Sequence, residues 1–201
     1  MRIAAKIFLF FMLIAAASCG EYEADIIDPR LPAYTESGTG DGGAYIDDKV
    51  WRNADIPSSF SSSGSPGMRW RAALNPTDST ELTRVSFLNG FVENQKVEII
   101  FYLFDYRISN KSELLQLIER RIDLNGNPDY AEILFYQNES VDTLKSTKGA
   151  IYFRHIEYQV ERERTVVSGT FGFEAENDSA SSTVQSGRYD FGVGDFEFRS
   201  F

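Results

Sequence analysis

The strongest constraint on the fold is a period of 2 near the end of the chain. From Val166 to Glu176, Val167, Gly169, Phe171, Phe173 and Ala175 fall on one face, while Ser168, Thr170, Glu174 and Glu176 fall on the other. That alternation describes a strand with one buried side. Asn177 to Ser182 is polar and reads as a turn. Val184 to Val193 then returns, with Tyr189, Phe191 and Val193 facing inward. Aromatic cross-strand pairs make this the most stable hairpin expected in the chain.

Other segments follow the same logic. Gly43 to Asn53 places two short apolar runs around Asp47-Asp48, a hairpin pattern with Tyr45, Val50 and Trp51 available to a core. Met68 to Leu74 and Leu82 to Leu88 read as strands around the turn Asn75 to Asp78, and Ser58 to Gly67 as a flexible loop. Ala131 to Tyr136 is a short strand and Ala150 to Val160 a long one. Val97 to Tyr106 differs from these. Val97, Ile99, Phe101 and Leu103 line one face, and Ile100, Tyr102, Phe104 and Tyr106 the other, so both sides need cover.

One helix is expected, over Asn110 to Asp123. Asn110 or Ser112 caps it, with Glu113 at capping-box spacing from Asn110. Leu114, Leu117, Ile118 and Ile122 form an apolar stripe, and Asn125-Gly126 ends the segment. The expected fold is therefore mainly β, α+β at the margin. It is an antiparallel β-sandwich or partly closed barrel, with one α-helix packed across the two-faced strand.

The start of the chain carries an address. Arg2 and Lys6 precede the apolar run Ile7 to Ala17, which is too short for a membrane span of about 20 residues. A basic head, a short apolar middle and small residues describe a secretory signal peptide. Ala16-Ala17-Ser18 lead into Cys19, the only cysteine in the chain. An unpaired cysteine in an exported protein requires another explanation. The segment resembles the lipobox of bacterial lipoproteins, although Ala16 stands where Leu or Val is usual. That resemblance implies cleavage before Cys19 and acylation of its thiol with diacylglycerol, carrying chains such as palmitate. An acyl anchor of several chains would hold a domain stably on a membrane. The competing reading is an ordinary signal peptide with an incidental cysteine.

The expected organisation is residues 1–18 as signal peptide, 19–42 as a flexible tether rich in Gly and Pro, and 43–201 as a single β-rich domain. Glu21, Glu23 and Asp25 resemble the acidic export tags of Bacteroidetes-type surface lipoproteins. Two further stretches are similar to small Bacteroidetes-type lipoproteins of unknown function. One is Gly43 to Trp51. The other is the closing hairpin, Val167-Ser168-Gly169-Thr170-Phe171 with Gly187-Arg188-Tyr189-Asp190. The resemblance implies a mostly β domain anchored by lipid to the outer membrane, with exposure at the cell surface as its further destination. It supplies no catalytic residues.

Chemistry is sparse. His155 is the only histidine and lies within a strand pattern, with no nucleophile-elbow sequence nearby. One histidine and no free cysteine argue against zinc. Asp47-Asp48, Glu161 with Glu163, and Glu174 with Glu176 are carboxylate pairs, the latter two on the fringe or polar face of strands. Gly38 to Gly43 lacks the context of a phosphate loop. Asp123, Asn125, Asn127 and Asp129 resemble the start of a calcium loop, but Pro128 stands where its glycine belongs, and the late glutamate is missing. The alternative there is a helix stop and a proline turn.

The net charge of −10 argues against a nucleic-acid partner. The expectation is therefore a lipoprotein without cofactor or catalytic residues. Its partners are the membrane, through the lipid, and a glycan or protein. A carrier enclosing a small apolar ligand is the second reading, and a hydrolase built on His155 or a carboxylate pair the third.

Overall fold

The computed structural model describes residues 30–54, 67–74 and 81–198. The strands are β1 (Asp41–Ile46), β2 (Lys49–Ala54), β3 (Met68–Leu74), β4 (Glu81–Phe87), β5 (Phe91–Val92), β6 (Gln95–Phe104), β7 (Arg120–Asp123), β8 (Tyr130–Gln137), β9 (Ser140–Gln159), β10 (Arg164–Glu176) and β11 (Ser181–Val193). All pairings are antiparallel. The order β6-β8-β9-β10-β11-β1-β2-β5 returns to β6 and closes an eight-stranded barrel. Of the two alternatives expected from sequence, the barrel is the one formed, closed fully rather than partly, and the sandwich is not. Full closure removes the free edges of a sandwich.

The hairpins expected from sequence are present. Asp47 and Asp48 both take positive φ, as the tight turn between β1 and β2 requires. β3 pairs with β4 from Met68↔Phe87 to Leu74↔Glu81. The β10–β11 hairpin turns at Asn177, whose Oδ1 accepts from the Ser179 and Ala180 amides.

β9 is longer than Ala150 to Val160. Its first half pairs with β8 and its second with β7. Gly149 sits between the two halves at φ +144, beside the backbone of Gly172 and Phe173. Only glycine suits both that dihedral and that approach.

The core fills the barrel. Phe87 lies 5.4 Å from Phe101 and Tyr189, 5.5 Å from Phe171, 6.0 Å from Phe191 and 6.3 Å from Trp51, measured between ring centroids. These rings are buried. Towards the end covered by the β3–β4 hairpin, Trp70 packs on Phe153 and on Phe198.

The expected helix over Asn110 to Asp123 is not formed. Of the expected capping box only half is present: Asn110 Oδ1 accepts from the Ser112 and Glu113 amides, but Glu113 Oε2 accepts from the Ser109 amide instead of that of Asn110, and Ser112 makes no side-chain capping bond. The segment makes only a short 3₁₀ turn, Glu113–Leu117, before Ile118 extends and Glu119 turns at φ 54. Arg120–Asp123 then pairs with β9, from Arg120↔Phe153 to Asp123↔Ala150. Helix propensity is a weak preference, and here a buried sheet edge outweighs it. Arg120, Ile122 and Asp123 also fit a strand with one inward residue, since Ile122 is buried while its neighbours are exposed.

Residues 30–42, read from sequence as part of a tether, lie on the barrel wall. Leu31 is buried. Asp190 of β11 accepts from the amides of Ser37, Gly38 and Thr39, and from the Thr35 and Thr39 hydroxyls. Asp41 already belongs to β1. The packed unit thus reaches back beyond Gly43, because a buried carboxylate needs the donors this segment supplies. Residues 1–29, with Cys19 and the remainder of the tether, lie outside the described residues. So do the expected loop over 58–66 and the turn at 75–78.

Candidate functional site

The inner face of β6 explains one side of the two-faced strand. Val97, Ile99, Phe101 and Leu103 are fully buried in the barrel. The other side faces outward and gathers aromatic and charged groups from β4, β8 and β9. Register sets the rows: Arg84 opposes Tyr102, which opposes Tyr130, while Ser86, Ile100, Glu132 and Lys145 form the adjoining row. Ile100 is buried beneath this layer.

The contacts are close. Tyr102 and Tyr130 stack at 4.5 Å with an interplanar angle of 19°, and Phe104 lies 6.1 Å from Tyr130. The Lys145 ammonium sits 3.9 Å above Tyr130, the Lys96 ammonium 4.5 Å above Tyr136, and the Arg84 guanidinium 5.8 Å over Tyr102. Such cation–ring contacts are attractive through the ring quadrupole. The Tyr102 hydroxyl donates to Glu132 at 2.9 Å, and the Tyr136 hydroxyl to Glu98 at 2.8 Å.

Burial and then Glu132 push the Tyr102 hydroxyl far above its ordinary range; burial and then Glu98 push Tyr136 up to about 12. Both phenols stay protonated at neutral pH and donate. The arrangement offers ring edges, hydroxyls and half-exposed cations on a rigid sheet. Those are the groups that recognise sugars and polar protein surfaces.

The candidates from sequence fall elsewhere. His155 lies on β9, with Nδ1 3.7 Å from Glu36 and Nε2 3.6 Å from Glu157. Across the ladder it opposes Ser168. The Ser168 hydroxyl, however, donates to Asp190 at 2.6 Å and is buried. The serine, histidine and aspartate therefore do not form a relay in which the histidine takes the serine proton.

Asp47 accepts from the Thr183 amide and the Ser182 hydroxyl, tying the first hairpin to β11. Glu161 and Glu163 are exposed at a 3₁₀ turn, and Glu174 and Glu176 are exposed on β10.

In the loop expected to resemble a calcium site, the oxygens serve separate partners. Asp123 pairs with Arg121, Asn125 accepts from the Asn127 amide, and Asp129 accepts from the Phe104 amide at 2.7 Å. Among the described residues no three acidic, histidine or cysteine side chains converge as metal ligands.

Sequence reasoning missed the outward face as a site. Its signal was present in the second apolar face of Val97 to Tyr106 and in Tyr130 and Tyr136, which share a face of β8. The register that brings Arg84, Glu132 and Lys145 to those rings was not. No protein-family model, curated protein or solved structure matches this chain.

Proposed function

We propose that this chain is a lipid-anchored envelope protein whose β-barrel works by recognition rather than by catalysis. The observation carrying this reading is the outward layer around Tyr102 and Tyr130, where stacked rings, cations and hydroxyls stand on a rigid wall. The export signal and Cys19 support an acyl anchor at the outer membrane, which would present that wall to a glycan or protein partner. Only a short stretch separates Cys19 from the packed segment at Arg30. Fully extended, it would hold the barrel within about 40 Å of the membrane.

The carrier reading has less support. A barrel of this size can hold one small ligand. Here that ligand would have to displace Phe87 and the rings around it.

Two measurements test the proposal. Mass spectrometry of the N-terminal peptide from native membranes should find Cys19 acylated and residues 1–18 removed, and Cys19→Ser should release the protein from the membrane. Unmodified Cys19 would defeat the anchor. Glycan-array and crosslinking profiles of the wild type should lose their main signal in Tyr102→Ala and Tyr130→Ala. Unchanged profiles would defeat the recognition face.

A further inference from the structure

Beyond Arg84 the same wall dips into a concave patch on β3, β4 and β6. It has a volume of about 290 Å³ and is lined by Arg69, Arg71, Arg84, Ser86, Leu88 and Glu98. Met68 and Trp70 of β3 point into the core, so Arg69 and Arg71 point outward. Arg71 stands directly opposite Arg84, and Arg69 opposite Ser86. Like charges facing each other across an antiparallel ladder repel.

Among the described residues, neither Arg71 nor Arg84 makes an ion pair, and the Arg84 Nε–H is buried without a hydrogen-bond acceptor. Among the described residues, Glu98 is the only carboxylate lining the patch. It already pairs with Lys96 at 2.9 Å and accepts from the Tyr136 hydroxyl. In a chain of net charge −10, these two guanidiniums have no ion-pair partner among the described residues.

From this we infer that the patch is a binding site for a small ligand carrying an oxyanion group, a carboxylate, sulfate or phosphate, held by Arg71 and Arg84. Guanidiniums present paired N–H donors whose fork matches such oxygens. The volume admits a molecule near the size of one sugar ring, and the negative charge of the whole chain opposes a long polyanion. The oxyanion is either a free inorganic ion or a group borne on a sugar. The inference rests on the recognition reading and makes Arg84, which covers Tyr102, part of both surfaces.

The test uses the purified full chain in detergent micelles, titrated by calorimetry at low ionic strength. The probes are inorganic sulfate, inorganic phosphate, glucuronate and uncharged glucose. At least one anion should bind 1:1 with Kd below about 1 mM, and glucose should not. Binding of sulfate or phosphate without glucuronate assigns the site to a free ion; tighter binding of glucuronate assigns it to an acidic sugar. Either supports the site.

Arg71→Gln and Arg84→Gln should each weaken the binding at least about tenfold. Without any anion, Arg71→Gln should raise Tm, because a repelling charge is gone. That readout separates loss of the site from loss of folding. Absence of binding by all three anions overturns the inference, as does unchanged binding in Arg71→Gln. The titration needs no cellular partner, so failure of the Tyr102 and Tyr130 variants in partner capture would leave its result standing.

Discussion

Ser168 of β10 donates its hydroxyl to Asp190 of β11 at 2.6 Å, and the two residues oppose each other in the ladder with both side chains buried. Asp190 lies at the junction of two structures. Ser168 holds it from the barrel wall, and Thr35, Ser37, Gly38 and Thr39 hold it from the segment that precedes β1. Its charge is stabilised by these hydrogen bonds, and among the described residues no cation pairs with it.

Asp190→Asn should therefore cost about 2–4 kcal/mol, since the amide group turns a donor towards donors in a buried place. Urea unfolding measures the loss. Hydrogen exchange at Gly38 and Thr39 should accelerate in the same variant. Wild-type exchange there would show that Asp190 is not what holds the segment.

The same carboxylate gives stability an acid limb. Burial raises the Asp190 pKa, but the bonds from Ser168, Thr35 and the Thr39 and Gly38 amides outweigh it and hold the pKa below the ordinary range. The folded pKa is thus depressed, so its contribution is full above the unfolded value of about 3.9 and disappears as pH falls through the folded value. Tm of the wild type should drop more steeply than that of Asp190→Asn over this acid window. Parallel curves would contradict the assignment.

Phe87 touches rings from both halves of the barrel, so truncation leaves a hole that no single neighbour closes. Phe87→Ala should destabilise by about 3–5 kcal/mol, read from the urea midpoint at unchanged slope. A loss below about 1 kcal/mol would mean that the interior is loosely filled, which would favour the carrier reading.

Gly149→Ala combines an unfavourable φ with collision against the backbone of Gly172 and Phe173. The variant should lose at least about 2 kcal/mol or fail to accumulate folded protein, because β9 changes partners at this point. A variant as stable as the wild type would show that β9 bends elsewhere.

Asn110→Ala should cost about 1 kcal/mol, the usual effect of losing a capping acceptor. Far-UV circular dichroism of the wild type should lack an α-helical double minimum. A pronounced helical signal from residues 110–123 would restore the helix in place of β7.

What could be read in advance came from local rules. The alternation over 166–176 and its return to Val193 followed from the pleat, which sends successive side chains to opposite faces. Asp47-Asp48 announced a tight turn because a short polar side chain tolerates positive φ. Asn110 announced a capping acceptor, and its Oδ1 accepts from the Ser112 and Glu113 amides, while Glu113 turns to Ser109 instead of closing the box. What the cap begins was decided elsewhere, since Ala150 to Phe153 of β9 needed a partner strand.

By itself, then, the sequence determined the mainly β character, the principal hairpins and the residues that would be apolar on each strand. It also set a basic head, a short apolar run and small residues ahead of the single cysteine. Tertiary structure decided the closure of the sheet through β5, the conversion of 120–123 from helix to strand and the docking of 30–40 onto Asp190. It also decided the meeting of Arg71 with Arg84 and of Tyr102 with Tyr130. The reason is common to all of these. Periodicity specifies which face a side chain takes, but the neighbour across that face is set by long-range register, which depends on the pairing of strands far apart in the chain.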